Sequence, residues 1–142
     1  MMKELLEKYE KTQTVCFTGH RPERLPQNEG ELKKRLSDAI EKAIERGKVN
    51  FVSGAMSGFD TLAAEQVVRL KETCPQIQCI MVVPFSVGFF NNKNWTPEWT
   101  ARLRAVTKKA DFAISLSEHY YKGVYYERDR MIVDKGSSFL CL

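Results

Sequence analysis

The chain has 142 residues, of which 43% are hydrophobic and 28% charged, with a formal net charge of +4. This composition excludes a disordered chain, and no apolar run reaches the length of a membrane-spanning helix. One domain over residues 1–142 is expected, and because Lys and Arg are interleaved with Glu and Asp, the mild positive charge permits an anionic ligand without itself pointing to nucleic acid.

Residues 1–10 are charged throughout and lack the apolar core and cleavage site of a signal peptide, so a cytoplasmic location is expected. Met2, Leu5, Leu6 and Tyr9 fall at helical spacing, which makes residues 1–12 a leading helix or a frayed segment. Residues 14–18 are β-branched and apolar and read as the first strand. Its outlet, Gly19-His20-Arg21-Pro22, is a polar turn carrying a guanidinium. From Glu31 to Arg46, the positions Leu32, Leu36, Ala39, Ile40, Ala43 and Ile44 trace one face of an amphipathic helix that Gly47 stops.

Residues 49–53 form the second strand and enter Gly54-Ala55-Met56-Ser57-Gly58, after which a helix runs to about Glu72. The chain is organised around this junction. A strand that turns into a helix N-terminus directs unpaired N–H groups and the positive end of the helix dipole at one spot, which suits phosphate. Gly54 and Gly58 permit a sharp turn and close approach of a ligand, and Ser57 with Asp60 has the form of a capping box that starts the helix near residue 58. The alternative is that any α/β protein needs small residues at such a turn. A second polar turn after the first strand favours a site, since the outlets of neighbouring parallel strands meet at their carboxyl ends.

Residues 77–83 are a nearly continuous apolar run, as in a strand buried on both faces. The following loop, with Phe85, Phe89, Phe90 and Trp95, is read as core or interface ahead of a base-stacking platform. Thr96-Pro97 is a helix start, with Trp99, Leu103, Val106 and Ala110 on one face. Residues 111–116 make the fourth strand, and residues 117–123 are a third polar loop near the same edge. Residues 124–135 form a last helix with Val124, Met131 and Ile132 on one side, and residues 138–142 a fifth strand. The alternation predicts a three-layer α/β/α, Rossmann-like fold with a largely parallel five-stranded sheet, the first strand near its centre. The Gly-x-Gly-x-x-Gly fingerprint is absent from the first turn, which disfavours an ordinary NAD dehydrogenase.

Cys16, Cys74, Cys79 and Cys141 form no Cys-x-x-Cys pair, and with only His20 and His119 beside them no metal site is expected. Three of the four sit inside apolar runs and read as reduced core residues.

Residues 53–64, Ser-Gly-Ala-Met-Ser-Gly-Phe-Asp-Thr-Leu-Ala-Ala, resemble the central pattern of DNA-processing protein A, and Thr18-Gly19-His20-Arg21-Pro22 is similar to the first turn of YpsA-like proteins. With Pro84-Phe85, the Trp95 region, Ala110-Asp111 and residues 127–134, the chain from about residue 14 onward resembles the YpsA-like family of the SLOG superfamily, which also holds the Lonely Guy proteins. The resemblance implies a nucleotide or nucleotide-derived ligand, of the ADP-ribose or nucleoside monophosphate class, at the carboxyl edge of the sheet. It implies no particular reaction and no further cofactor.

Two departures stand out. Asp129 occupies a position where the family pattern has Asn, adding negative charge. Family members also continue past the fifth strand into a glycine-rich loop and another helix, whereas the sequence stops at Leu142, so the C-terminal part of the fold is expected to be missing. The Pro-Gly-Gly-x-Gly-Thr motif of Lonely Guy enzymes is absent with it, which disfavours that activity, and an open sheet face would suit a homo-oligomer.

The candidate ligand-binding set is Gly19, His20, Arg21, Ser53, Gly54, Ala55, Ser57, Gly58, Asp60 and Arg128. Arg21 leads it because guanidinium pairs well with phosphate, its alternative being a structural salt bridge. His20 is a phosphate donor or acid, or a histidine satisfied by a backbone carbonyl. Asp60 is a cap or a ribose-hydroxyl partner. Arg128 reaches the site or pairs with Glu127 or Asp129. Tyr120 and Tyr121 stack on a base or pack in the core. Three functions are compatible: a nucleotide sensor or regulatory module, a nucleotide hydrolase with Asp60 or Glu65 as its carboxylate, and a single-stranded nucleic-acid binder whose affinity falls with salt.

Overall fold

The computed structural model describes residues 13–135, apart from His20 and Pro26, and residues 138–141. The expected leading helix over residues 1–12 and the candidate His20 lie outside the described residues. Strands β1 (Thr14–Thr18), β2 (Asn50–Ser53), β3 (Gln78–Phe85), β4 (Phe112–Ser117) and β5 (Ser138–Cys141) alternate with helices α1 (Glu29–Glu45), α2 (Phe59–Lys71), α3 (Pro97–Lys109) and α4 (Val124–Lys135). Every pairing is parallel, and the strand order is β4-β3-β2-β1-β5. This is the Rossmann-like three-layer class expected from the alternation, with the first strand next to the central one. β2 holds the centre and β1 lies one place in from the edge, because β2, β3 and β4 extend the sheet in one direction and only β5 returns to the other side of β1.

Side-chain alternation along the strands divides the core in two. Val15, Phe17, Phe51, Cys79, Met81 and Val83 face α1, α2 and α3, which contribute Leu36, Ile40, Leu62, Val67 and Leu103. Cys16, Val52, Ile80, Val82 and Ile114 face the opposite side, where Ile132 of α4 covers them. Full burial of each such aliphatic side chain contributes about 1.5–3 kcal/mol. α1 begins at Glu29 because the Asn28 side chain accepts the Glu31 N–H at 3.0 Å. α3 begins as expected, with the Thr96 hydroxyl accepting the Trp99 N–H at 3.3 Å ahead of Pro97, a cap worth about 1 kcal/mol.

β3 runs two residues beyond the apolar stretch, through Pro84. β2 ends opposite Met81, so only β4 flanks that part of the strand, and a missing backbone donor costs little there. The aromatic loop after β3 belongs to the core. Phe89 stands edge-on to Phe85, Phe90 and Trp95 at 5.2–5.4 Å between ring centroids, and Phe89 and Trp95 are both buried.

Candidate functional site

β1 and β5 are neighbours although the chain visits β2, β3 and β4 between them, so the direction of winding reverses at β1. Ligands of open parallel sheets bind outside the carboxyl ends of the strands at such a reversal. A cleft of about 260 Å³ lies there, walled by the end of β1, the turn with Gly19 and Arg21, the β2–α2 loop and α4. Gly19, Arg21, Gly54, Ser57, Asp60 and Arg128 all line it, so six of the candidates converge.

The β2–α2 loop is tied down by its own side chains. The fully buried Ser53 hydroxyl donates to the Asp60 carbonyl at 3.0 Å and accepts the Ala55 N–H at 3.2 Å. Thr61 Oγ1 donates to the Met56 carbonyl at 2.7 Å. Ala55 has φ 61° and Gly58 has φ 94°, so Gly58 adopts a conformation that side chains disfavour, while Ala55 is held in the left-handed region by its neighbours. Ser53, Ala55 and Gly58 therefore shape the loop and do not line the cleft.

The capping box does not form. Gly58 is the N-cap of α2 and no side chain caps it. Ser57 Oγ instead sits buried with no hydrogen-bond partner among the described residues, and Ser57 as a whole is 2% exposed. An unpaired buried hydroxyl costs about 1–3 kcal/mol. Ser57 lines the cleft.

Each cleft glycine also has a packing reason for its bareness. A Cβ on Gly19 would stand 2.3 Å from the ring of Phe59, so Gly19 lets the buried first residue of α2 pack beneath the β1 turn. A Cβ on Gly54 would stand 2.9 Å from Asp60 Oδ2 and 3.4 Å from Arg128 Cζ, so its bareness makes room for two charged side chains.

Arg128 is 3% exposed and belongs to the inward stripe of α4, four residues after Val124 and four before Ile132. Its Nη1 donates to the carbonyls of Gly54 and, at 3.5 Å, Val82, and its Nε to Asp129 Oδ1 at 2.8 Å. The pairing with Asp129 was one of the sequence alternatives. The bonds to β2 and β3 outlets were not foreseen, although a charged residue in an apolar stripe is the signal for them. The guanidinium also lies 5.6 Å from the centre of the Tyr125 ring.

Asp60, half-buried in the first turn of α2, has its carboxyl pushed up to about 7. Burial away from water is the chief cause; Arg128, the Met56 N–H and Arg21 pull the other way, and Asp129 adds to the rise. Arg21 is exposed, and no hydrogen bond or salt bridge engages its guanidinium among the described residues.

Glu65 is not part of this site. Arg102 of α3 holds both its oxygens, at 3.2 and 2.6 Å, and also bonds Glu29 at 2.9 Å. Arg102 thus ties Glu65 of α2 and Glu29 of α1 to α3, and Glu65 is engaged away from the cleft. Tyr120 and Tyr121 do not line the cleft either; Tyr120 packs edge-on to Phe85 at 5.6 Å and Tyr121 donates to Glu127 at 2.6 Å. Cys16 does reach it, but its thiol donates to the Ile132 carbonyl at 3.0 Å and burial pushes it up to about 12, so it is a neutral core group. Thr18 and Asp129 complete the polar part of the wall and Met56 adds to its apolar part; none of the three is among the candidates.

The geometry defines a Rossmann-like α/β domain with a charged cleft at the reversal of its parallel sheet. The model of the YspA SLOG family matches residues 15–142, and the chain belongs to that family. It is 28% identical over 113 residues to UPF0398 protein BH1768 of Halalkalibacterium halodurans, covering 78% of this chain and 58% of the relative. It is 23% identical over 113 residues to UPF0398 protein YpsA of Bacillus subtilis, covering 78% and 61%. A UPF0398 protein of Bacillus pumilus is 25% identical over 140 residues, covering 90% and 72%. The chain thus spans about three fifths of the length of the first two relatives. No helix among the described residues is long and apolar enough to cross a membrane.

Proposed function

We infer that the cleft binds the phosphorylated end of a nucleotide or nucleotide derivative and that the domain works as a ligand sensor or regulatory module. The observation that carries this reading is the pairing, in one cleft, of an exposed guanidinium, Arg21, and a buried hydroxyl, Ser57, neither of which has a hydrogen-bond or salt-bridge partner among the described residues. Both belong to loops at strand outlets beside the N-terminus of α2, where the helix dipole favours an anion. Asp60 supports a second reading, a nucleotide hydrolase, because a carboxyl pushed up to about 7 is poised to exchange a proton near neutrality.

The test is thermal unfolding with AMP, ADP-ribose, NAD and inorganic phosphate, for the wild type and Arg21→Ala. A ligand at about 100 times its dissociation constant stabilises the fold by about 2.7 kcal/mol. The expected outcome is an upward shift with a phosphorylated ligand that Arg21→Ala abolishes. Absence of a shift with all of them would sink the reading, and product analysis of the same mixtures separates sensor from hydrolase.

A further inference from the structure

The base of the cleft carries a pattern of donors and acceptors that narrows the ligand, and this inference rests on the reading just given. Asp60 and Arg128 approach one another across Gly54 without meeting: the point where a Gly54 Cβ would stand is 2.9 Å from Asp60 Oδ2 and 3.4 Å from Arg128 Nη1, yet no salt bridge joins them within 4.0 Å. Arg128 Nη1 and Nε are engaged by Gly54, Val82 and Asp129, while Nη2 makes no hydrogen bond among the described residues. Ser57, buried and unpaired among the described residues, shares the same walls. An acceptor, a donor edge and a hydroxyl that does either are together complementary to neighbouring alcohol groups, each of which donates one hydrogen bond and accepts others.

Charge and size act in the same direction. Asp129 lines the cleft and its carboxylate opposes a second phosphate beside the one that Arg21 takes. A volume of about 260 Å³ falls below the roughly 300–1,000 Å³ of clefts that enclose a drug-sized ligand. Among the described residues Phe17 is the one aromatic side chain on the wall, and at 4% exposed it offers no face on which a base could stack.

We propose that the cleft recognises a monophosphorylated pentose, with the phosphate on Arg21 and the sugar hydroxyls on Asp60, Ser57 and Arg128 Nη2, while the base of a nucleotide stays outside and contributes little. A sugar phosphate without a base is then a sufficient ligand. The hydroxyl groups of the sugar are what distinguish it from inorganic phosphate.

Titration calorimetry of the full chain with inorganic phosphate, ribose 5-phosphate, 2-deoxyribose 5-phosphate and AMP tests this. Ribose 5-phosphate should bind within about threefold of AMP and at least about tenfold tighter than inorganic phosphate, the equivalent of one well-made hydrogen bond to a charged group. The 2-deoxy sugar should lose about tenfold, and Ser57→Ala should weaken ribose 5-phosphate more than it weakens inorganic phosphate. AMP binding through Arg21 with ribose 5-phosphate no better than inorganic phosphate would overturn the proposal and leave the nucleotide reading standing. Binding of ribose 5-phosphate without AMP would overturn the placing of the base outside the cleft and remove the nucleotide reading. No binding by any of the four would remove both.

Discussion

The two ends of the sheet carry the same kinds of groups in opposite states. At the amino end, Asp111 Oδ1 pairs with the Lys71 ammonium, its Oδ2 accepts the Cys79 N–H at 2.8 Å, and its own N–H donates to the Cys79 carbonyl at 2.9 Å. Carboxylate, cation and backbone are all answered. At the carboxyl end, Ser57 Oγ has no partner among the described residues, Asp60 faces Arg128 without a salt bridge, and Arg21 lies exposed. A closed network fastens α2 and β4 to β3, whereas an open one keeps polar capacity for a ligand. The difference separates a carboxylate whose partners the fold supplies from one that faces a cleft, without reference to residue type.

Arg128 is the residue that belongs to both categories, and its replacement should have the largest effect. Arg128→Met keeps much of the buried stem but leaves the carbonyls of Gly54 and Val82 without a donor. At about 1–3 kcal/mol for each unsatisfied buried group, the loss of stability should be about 3 kcal/mol, together with loss of ligand binding. Urea denaturation measures the first. A variant within 0.5 kcal/mol, an order-of-magnitude threshold for ordinary surface substitutions, would show that Arg128 does not hold β2 and β3 at this edge.

Asp111→Ala probes the closed end. It frees Lys71 and leaves the buried Cys79 N–H without its acceptor, so a loss of about 2 kcal/mol is expected. Affinity for ribose 5-phosphate, measured by calorimetry on the folded variant, should stay within about twofold of wild type, since the substitution lies at the far end of the sheet. Loss of binding in a variant that remains folded would show that the two ends are coupled and that the comparison is too sharp.

What periodicity and capping could reveal was local. The strand–helix alternation, Thr96 with Pro97 and the bounds of α4 follow from neighbours within a few residues, and the structure has them where they were expected. The turn residues were also legible as a set, because loops at parallel strand outlets must meet. Their individual roles depend on contacts far apart in the chain. Gly19 is bare because Phe59 packs under it, and Glu65 is occupied because Arg102 faces it from another helix. Ser57 and Asp60 have the spacing of a capping box, but Gly58 at φ 94° takes the N-cap, so the pattern is present and the bond is not. The place of β1 in the sheet likewise depends on where β5 returns, which no local pattern encodes.

The smallest effect is the one that reads the open end directly. Asp60 carries a carboxyl pushed up to about 7 in the folded chain from 3.8, so the folded state binds a proton that the unfolded state has released across that window. The stabilisation from this group is fully present below 3.8 and is lost as pH rises through about 7. Between pH 8 and pH 6 the wild type should therefore gain about 1 kcal/mol of stability from Asp60. Asp60→Asn, which carries no titrating proton, should lack that component, and the difference between the two chemical-denaturation profiles isolates it from the remaining ionisable groups. Parallel profiles for wild type and variant would mean that Asp60 is as settled a carboxylate as Asp111, and the contrast between the two ends would then rest on Ser57 and Arg21 alone.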